Sequence, residues 1–413
     1  MAYLRRVDVA FADTPNIDAF GRLKVANPQT LFDAQMTYDL QPLLYEEVKS
    51  GSGADVTHDS TNRRAVITFS STPTGNICGL QSYEYFRYQP GKSHEIFITG
   101  NIGTHVANTR VFLGYYARNE DYGFYFSQEA DGLLYVNIQS QTDAGGQSAV
   151  QSSWNVDKLD GTGTSGVTLD ITKDQIWFID FQALYVGRVR FGVIIDGILI
   201  ICHEFLNANT FDAPYIDSAN LPIWFGMASS GGTVTRNITF NCCSVMSNGG
   251  VDETVGYEFS TPDTSVTAGN GTATHVLSIR PKTTFNSITN RVKFASLEVD
   301  LIVTGNSPVH WQLVLGQAFS VAPTYANINT TYSAFEYGTG GTLSGSPTIV
   351  VDSGYIPASA SQKGTSNMNI TDRYPITLDS AGAVRSLGTL TLLVTGIGGS
   401  SATRAVLKHK EIR

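Results

Sequence analysis

The sequence predicts an all-β protein, with two antiparallel β-sandwich domains of the jelly-roll kind preceded by an irregular N-terminal arm. Glycine (40 residues), tyrosine (19) and phenylalanine (21) are abundant, whereas charged residues make up only 15% of the 413 residues. β-Branched and aromatic side chains suit pleated sheets, and glycine suits the tight turns between strands. Short apolar runs also recur between turn residues, and one Asp-Gly pair separates two β-branched runs. This spacing is typical of antiparallel sandwiches.

The first domain is expected over residues 46–248, where the strand signals are dense. They include "RAVITFSS" (64–71), "HEIFITGNI" (94–102), "RVFLGYYAR" (110–118) and "LLYVNIQS" (133–140). In "RVRFGVIIDGILIICHEF" (188–205), Asp196-Gly197 predicts a type I′ turn, because this dipeptide accepts two successive positive φ values. The run "QIWFIDFQAL" (175–184) carries apolar residues on both faces. It therefore predicts a central strand that is covered on both sides.

A second β-sandwich is expected over residues 249–413. The segment "SNGGVDET" (247–254) is small, polar and glycine-paired, and it separates two regions of strand pattern. Beyond it, "SLEVDLIV" alternates strictly between polar and apolar residues, as a half-buried strand does. The remaining length is in the usual range of one sandwich.

Composition excludes several classes of function. The net charge of −9 and the pI near 5.2 argue against nucleic acid as a partner, because phosphate binding requires clustered Lys and Arg. The longest apolar stretch is interrupted by Asp196 and Gly197, so no membrane span is expected. The first residues lack the apolar core of a secretory signal, which predicts synthesis in the cytoplasm.

Residues 1–45 are interpreted as a docking arm. The stretch "NIDAFGRLKVANPQTLFDAQMTYDL" (16–40) is rich in apolar residues but shows no sustained period, and Pro28 interrupts any helix. Its large apolar residues are the expected anchors on a partner, and its cations are expected to pair with acids there: Phe20, Leu23, Leu31, Phe32 and Tyr38 as anchors, Arg22 and Lys24 as cations. The alternative is that the arm folds back and covers a sheet edge of its own first sandwich.

The search for catalytic residues predicts none. "CHEF" (202–205) lacks the second histidine of a zincin motif, since Asn207 stands there, and the segment is a predicted strand. A sandwich glycosidase needs two carboxylates about 5 to 9.5 Å apart, commonly supplied by an E-x-D or E-x-D-x-E run. Asp180 and Glu204 flank the hairpin without forming such a run. The protein is therefore expected to have no enzymatic activity.

No metal or cofactor site is expected either, although two acidic loops leave calcium open: "RNEDYGF" (118–124) and "DVTHDSTN" (55–62). A group of tyrosines leaves a glycan site open, because exposed aromatic rings stack on sugars: Tyr115, Tyr116, Tyr122 and Tyr125. Alternate members of that group are expected to face the core instead.

The arm carries a family resemblance. "DAFGRLKVANPQTLFDAQMTYDL" resembles the N-terminal segment of a family of virion structural proteins of tailed bacteriophages, in which a phrase of the type FGRLRVS-P-TLFD precedes β-sandwich domains. Similar phrases follow at "IDFQALYVGRVRFGVIIDGILIICHEFLNAN" (179–209), "APYIDSANLPIWFGM" (213–227) and "LSIRPKTTFNSITNR" (277–291). The first domain also resembles a concanavalin A-like or laminin G-like jelly roll. It departs from the sugar-cleaving members in lacking their acid pairs.

The resemblance implies a non-enzymatic virion structural protein. The leading expectation is a capsid-attached decoration or fibre protein that binds the major capsid protein, or a tail or connector protein, as a homotrimer. The alternative is a tail-associated receptor-binding protein that recognises a host surface glycan. A depolymerase is a third hypothesis, disfavoured by the missing carboxylate pair. In each case the protein is expected in the virion, assembled in the host cytoplasm.

Overall fold

The computed structural model describes residues 28–71, 74–232, 235–250, 256–347, 349–358, 363–368 and 375–413. Within these ranges the regular structure is almost entirely β, and the helical element is one 3-10 turn at Gln151–Ser153. The all-β prediction is confirmed. The chain forms two compact units, Met1–Ser82 with Phe86–Asp252 and Tyr83–Tyr85 with Glu253–Arg413. We refer to them as the first and the second sandwich.

The first sandwich is built from short strands joined mainly by tight turns. The strands are β1 (Gln29–Gln35), β2 (Tyr45–Ser50), β3 (Ala54–Asp59), β4 (Arg64–Phe69), β5 (Ile77–Ser82), β6 (Ser93–Asn101), β7 (Thr109–Ala117), β8 (Tyr122–Gln128), β9 (Leu134–Gln139), β10 (Gln147–Val150), β11 (Gln175–Phe181), β12 (Val189–Ile195), β13 (Ile198–Phe205), β14 (Ile223–Ser229) and β15 (Arg236–Asn248).

These strands form two antiparallel sheets. Sheet A has eight strands in the order β13-β12-β11-β6-β15-β4-β3, and β1 also pairs with β15. Sheet B has seven strands in the order β10-β9-β8-β7-β14-β5-β2. The predicted central strand is β11, which lies between β6 and β12. The predicted hairpin joins β12 to β13, and both turn residues have positive φ, Asp196 at 50° and Gly197 at 81°.

Aromatic side chains fill the space between sheets A and B. Trp177 of β11 lies 4.9 Å from Phe126 of β8, measured between ring centroids. Phe181 of β11 lies 4.7 Å from Phe124 of β8 and 5.6 Å from Tyr115 of β7. All five residues are essentially inaccessible to solvent. Because such rings bury large areas, this layer contributes much of the stability of the first sandwich.

Part of the predicted arm belongs to this core, which corrects the expectation of an irregular segment through residue 45. β1 pairs antiparallel with β15, and its outward and inward residues alternate. Phe32 is 7% exposed and lies 4.8 Å from Phe86 and 5.9 Å from Tyr45, again between ring centroids. Met36 is fully buried. Residues Gln29–Gln35 of the predicted arm therefore form a strand of its own sandwich.

The second sandwich is also built from antiparallel strands. They are β16 (Tyr257–Ser260), β17 (Thr264–Ala268), β18 (Thr274–Pro281), β19 (Thr284–Phe285), β20 (Ile288–Thr289), β21 (Lys293–Val303), β22 (Val309–Leu315), β23 (Phe319–Val321), β24 (Thr324–Asn327), β25 (Phe335–Thr339), β26 (Thr342–Leu343), β27 (Ile349–Ile356), β28 (Lys363–Met368), β29 (Leu390–Gly396) and β30 (Ser401–Ile412).

Two larger sheets enclose the core of the second sandwich. One has five strands in the order β16-β30-β21-β28, with β17 also on β30, and the other has six in the order β24-β25-β18-β29-β22-β27. Two small ribbons, β19-β20 and β23-β26, complete the described strands. The alternation predicted in "SLEVDLIV" is present in β21, where Leu297, Val299 and Leu301 are buried. The intervening polar residues face outward.

Candidate functional site

The outer side of sheet B carries an aromatic cluster that is separate from the core between the sheets. Its four buried rings are Phe112, Tyr116, Tyr125 and Trp224. Their immediate neighbours along the strands point the other way: Tyr115 and Phe124 contact sheet A. Because side chains alternate along a strand, the cluster must lie on the side of sheet B that faces away from sheet A. We call this side, with the arginines described below, the aromatic face.

Glycines allow the indole of Trp224 to lie flat on the sheet. A Cβ atom at Gly226 would come within 2.5 Å of the indole Cζ2, and one at Gly79 within 2.8 Å. These two glycines are direct partners across β14 and β5. Phe112 stacks on the indole with the ring centroids 5.4 Å apart and the planes 20° apart. The two glycines thus leave room on the sheet for the indole of Trp224, on which Phe112 stacks.

Two arginines lie over these rings. The Arg110 guanidinium carbon is 5.2 Å from the centroid of Phe112 and 5.5 Å from that of Tyr125. The guanidinium carbon of Arg118 is 5.9 Å from the Trp224 ring. Cations above aromatic faces are attracted by the negative charge of the ring faces. The aromatic face therefore carries two arginines over its rings, of which Arg110 is paired with Glu129.

A chain of hydrogen bonds runs from Arg110 across β8 and β9. Arg110 donates through Nη2 to the Tyr125 hydroxyl (2.9 Å) and through Nε to Glu129 Oε1 (2.8 Å). The same carboxylate accepts from the Ser127 hydroxyl (2.6 Å), and Ser127 Oγ accepts from Asn137 Nδ2 (2.9 Å). This network fixes the orientation of Arg110, because each polar group along it has a defined partner.

The two tyrosines of the cluster are held in their neutral form. Burial raises the pKa of Tyr116, and the hydrogen bond of its hydroxyl to Asp121 Oδ1 (2.5 Å) raises it further. Burial also raises the pKa of Tyr125, although Arg110 acts in the opposite direction. Both hydroxyls therefore act as hydrogen-bonding groups and not as bases at neutral pH.

Two buried polar atoms of this face have no partner within the structure. They are the indole Nε1 of Trp224 and Oε1 of Gln81, which stand opposite each other on β14 and β5. A buried donor and a buried acceptor without partners are each costly, so such atoms are commonly satisfied by water or by a ligand. The aromatic face therefore offers apolar rings, cations and unused hydrogen-bonding atoms together.

The predicted tyrosine group is divided between the two sides of sheet B. Tyr115 is a core residue, whereas Tyr116 and Tyr125 belong to the aromatic face and Tyr122 is half-buried. The signals that sequence analysis missed are Trp224 and its glycines. Trp224 and Gly226 are two residues apart in β14, so the pleat of the strand places them on the same side of sheet B.

The residues around the hairpin are parts of the sheet. Asp180 is fully buried, and both its carboxylate oxygens accept from Arg190. Glu204 lies 3.4 Å from Arg188 Nη1, and His203 Nδ1 accepts from the amide of Asn155. Asp180, His203 and Glu204, which the sequence analysis considered and rejected as catalytic residues, therefore have structural partners.

In the second sandwich, His275 lies next to Ser278. His275 Nε2 lies 2.9 Å from Ser278 Oγ, and the Gly341 amide donates to His275 Nδ1. Because Nδ1 of His275 accepts a hydrogen bond, its Nε2 carries the proton and donates to Ser278 Oγ. The Ser278 hydroxyl can then donate its own proton to Thr391 Oγ1, which lies 2.9 Å away. This polarity is the reverse of an activated nucleophile, and Ser278 is fully buried.

The search for acid pairs overlooked two E-x-D runs. Glu129-Ala130-Asp131 follows β8, and Glu298-Val299-Asp300 lies in β21. Glu129 is engaged by Arg110 and Ser127, as described above. Lys408 Nζ lies 3.1 Å from Glu298 and 3.7 Å from Asp300. The expectation that the chain has no E-x-D run is therefore wrong.

The predicted docking residues fall into three groups. Phe20, Arg22, Leu23 and Lys24 lie outside the described residues. Phe32 is a core residue, which corrects its assignment as an anchor on a partner. Leu31 is half-buried in β1, and Tyr38 is 84% exposed. Docking by Leu31 and Tyr38 remains a prediction.

The proposed calcium loops show ordinary turn chemistry. Asp59 accepts hydrogen bonds from the backbone of Thr61 and Asn62. Asp121 accepts from Tyr116 and Gln139. In the part of the chain that the structure describes, no three His, Cys, Asp or Glu side chains are grouped as metal ligands. Likewise, no helix within the described ranges has the length and apolarity needed to cross a bilayer.

Comparison with known proteins gives similarity at the level of fold. No protein-family model and no curated protein matches the sequence. Solved structures that are similar include a legume lectin-like domain from Entamoeba histolytica (11% identity, TM-score 0.31, 53% of this chain and 98% of that one). A β-glucanase from Bacillus licheniformis is also similar (9%, TM-score 0.32, 54% and 98%). So is a conserved carbohydrate esterase from the Shiga toxin-encoding bacteriophage phi24B (13%, TM-score 0.31, 54% and 100%).

The comparisons correct one expectation from the sequence. The chain was expected to have no enzymatic activity, but glycoside hydrolases such as the β-glucanase are among the similar structures. That expectation also depended on the absence of E-x-D runs, which are present. At these identities the likeness concerns the fold and carries no substrate or reaction to this chain.

Proposed function

We propose that this protein is a surface protein of a tailed-bacteriophage particle and that the aromatic face of its first sandwich binds a glycan. The observation that carries the glycan part is the position of the aromatic cluster. Four large rings with two arginines above them lie on the outward side of a sheet, where no second sheet of the same sandwich needs them. This combination of apolar rings and a few fixed polar groups is typical of ligand sites.

A sugar matches the chemistry of this face. Pyranose rings present a flat C–H surface and a rim of hydroxyl groups. The four rings are at most 5% exposed, so in this proposal the C–H surface meets them where the overlying arginine side chains move aside. The hydroxyl rim can then meet the Trp224 Nε1 donor, the Gln81 Oε1 acceptor and the Arg110 network. Leaving such buried polar atoms unpaired is unfavourable, so a ligand that pairs them gains affinity.

The virion part of the proposal is supported by the phrase "FGRLKVANPQTLFD" (20–33) and the other segments that resemble phage virion proteins. In this proposal the other partners are the major capsid protein or a tail or connector protein, with assembly as a homotrimer. A capsid decoration or fibre protein and a tail receptor-binding protein both fit this phrase. The aromatic face favours the receptor-binding version, because a decoration protein has no need of a glycan site.

Glycan binding is tested by affinity electrophoresis of the full chain through gels that contain surface polysaccharides of candidate hosts. Retardation by at least one polysaccharide is expected. Trp224→Ala should weaken binding at least tenfold, and Trp224→Phe, which keeps an aromatic ring but loses Nε1 and part of the ring area, should weaken it less. Tyr355→Ala is the matched control, because Tyr355 is 74% exposed in the second sandwich. Failure to bind any polysaccharide, or equal binding by Trp224→Ala with a normal melting curve, contradicts the proposal.

Docking by the N-terminal segment is tested by separate substitutions. A Phe20→Ser, Leu23→Ser double variant should keep the melting temperature of the free protein and lose incorporation into particles. Phe32→Ala, in contrast, should destabilise the free protein by about 3–5 kcal/mol, because Phe32 is a buried core ring. If the double variant is incorporated normally, the docking assignment is wrong.

A further inference from the structure

Sheet B extends beyond the end of β7 through two irregular segments. The Tyr116 amide donates to the Pro222 carbonyl at 2.9 Å, and Phe86 forms a bridge with Leu221, its amide donating to the Leu221 carbonyl at 3.0 Å. The Tyr88 amide donates to Asn220 Oδ1 at 2.8 Å. Residues 220–222 therefore lie between the end of β7 and residues 86–88, as a strand lies between its neighbours.

Side-chain alternation places two arginines on the same side of this extension. Phe86 and Leu221 are buried core residues, so Arg87 and Asn220 point to the opposite side. Arg118 points there too, because it lies over Trp224 of the aromatic face. Adjacent strands are about 4.8 Å apart, which puts the Cα atoms of Arg87 and Arg118 about 10 Å apart with Asn220 between them. Arginine side chains are long enough to meet over that distance.

Within the described part of the chain, neither of these arginines forms an ion pair, although Asp121 acts on Arg118 at longer range. Among the described residues, no carboxylate lies within ion-pair distance of Arg87 or Arg118, and Arg118 Nη1 donates only to the neighbouring Asn119 side chain. Asp121, which acts on Arg118 electrostatically, already accepts from Tyr116 and Gln139. By contrast, Arg110 pairs with Glu129 at 2.8 Å. Arg188 likewise pairs with Glu204 at 3.4 Å.

Both guanidinium groups are also half-buried, and burial lowers the pKa of each. The direction follows from physical chemistry, since removing a cation from water disfavours the charged form. For Arg118, Tyr116 and Asp121 act in the opposite direction but do not outweigh burial. Half-buried charges are normally paired, and an unpaired one costs free energy that an anion can recover. Two such cations next to each other therefore form a site that suits an anion.

We propose that Arg87 and Arg118 bind an acidic group of the glycan, a carboxylate, sulfate or phosphate, next to the rings of the aromatic face. This inference rests on the proposed glycan binding and specifies its chemical class: an acidic polysaccharide. Arg118 connects the two parts of the site, since its guanidinium lies over Trp224. The sugar ring next to the acidic group is then expected beside the aromatic cluster. Asn220, whose Oδ1 accepts from the Tyr88 amide, lies between the two arginines along the sheet extension.

The test uses the full chain and an array of bacterial surface polysaccharides, in which each uronate-containing member is paired with its carboxyl-reduced form. The acidic members should bind, and carboxyl reduction should weaken binding about tenfold or more, since hydrogen bonds to charged groups are the stronger ones. Arg87→Gln and Arg118→Gln should each reproduce this loss on the acidic members. Affinity should also fall as salt is raised, because salt screens exposed charges.

The control is Arg63→Gln, since Arg63 is exposed on sheet A and donates to the Thr37 carbonyl. It should leave binding unchanged. If the array binds neutral and carboxyl-reduced members as well as acidic ones, and the two arginine variants bind like the wild type, glycan binding stands and the acidic-group inference is overturned. If no member binds, both fail. Melting curves of the three variants show whether each is folded.

Discussion

Arg190 and Asp180 face each other across β12 and β11, and the guanidinium Nε lies 2.8 Å from Oδ1 of the carboxylate while Nη2 contacts Oδ2. Both side chains are at most 1% exposed. Two parallel hydrogen bonds of this kind are the preferred geometry of arginine with a carboxylate. Asp180 is therefore a structural residue in the middle of sheet A.

Asp180→Asn should destabilise the first sandwich by about 3–5 kcal/mol, because it leaves a buried arginine without its counter-charge. The measurement is urea denaturation at neutral pH. The double variant Asp180→Leu, Arg190→Met removes both charges and should recover much of the loss. Glu204→Gln, at a partly exposed ion pair, should cost less than 1 kcal/mol. A small effect of Asp180→Asn would contradict the assignment.

His94→Phe should stabilise the protein. His94 is fully buried among Tyr88, Tyr115 and Phe181, and neither ring nitrogen has a hydrogen-bond partner. Replacing an unpaired polar ring by an apolar ring of similar shape removes a cost of about 1–3 kcal/mol. The melting temperature should rise, whereas the control His105→Phe, at a half-buried surface site, should not raise it.

The same histidine predicts a pH dependence. Burial lowers the pKa of His94 from 6.5 to about 3. Below pH 6.5 the unfolded chain binds a proton that the folded protein does not bind until about pH 3. Stability is therefore fully present above pH 6.5 and falls as the pH decreases towards 3. In His94→Phe this part of the slope should be absent, and an unchanged slope would contradict the assignment.

Glu411 should stabilise the second sandwich through its charged form. Burial by itself would raise its pKa, but hydrogen bonds from His409 Nε2 (3.0 Å), the Ala334 amide (2.9 Å) and the Ser333 hydroxyl (2.5 Å) outweigh burial and lower it. Glu411→Gln should cost about 1–3 kcal/mol near pH 7. Because the folded pKa is lowered, the advantage of the wild type should disappear as the pH falls below about 4.5.

The comparison for Glu411 is Glu298→Gln, which removes a partly exposed ion pair with Lys408. It should change stability by less than 1 kcal/mol at either pH. Denaturation curves at pH 7 and at pH 3 measure both variants. Equal losses for Glu411→Gln at the two pH values would show that the carboxylate charge is not what stabilises this cluster.

Gly226→Ala should disturb the aromatic face. The added Cβ would lie 2.5 Å from the indole of Trp224 and 2.7 Å from the Cys78 carbonyl, so the indole must move. Overpacking of this kind costs about 1–3 kcal/mol. Tryptophan emission should shift and polysaccharide binding should weaken. Gly146→Ala, at an exposed glycine, should do neither.

The alternation of side chains along each strand was the most informative sequence signal for the fold. It identified β11 as a central strand and β21 as half-buried, and the Asp-Gly pair located the β12–β13 turn. It failed at β1, where a register shift between Thr30 and Phe32 interrupts the period of two. Phe32, Ala34 and Met36 do follow a period of two, but the bulge before Phe32 and the apolar neighbour Leu31 shorten the alternating run, so they were not recognised as one face.

The candidate site was harder to predict because it depends on pairing between distant strands. The run that contains Phe112 and Tyr116 is apolar on both sides, so the sequence cannot assign its outer face. The flat position of Trp224 depends on Gly79, far away along the chain. Arg118 and Arg87 look like ordinary surface cations in the sequence. Their lack of carboxylate partners is a property of neighbouring strands, which only the sheet order reveals.

The position of β15 has a consequence for how the first sandwich forms during translation. β15 lies in the interior of sheet A, where it pairs with β6 on one side and with β4 and β1 on the other, yet it is the last of these strands to be synthesised. At about 5–20 residues per second, β15 leaves the ribosome roughly 10–40 s after β1. Until then β1 has no strand to pair with and the sheet cannot close. The early strands of the nascent chain therefore depend on chaperones, or on their own solubility, for the whole of that interval.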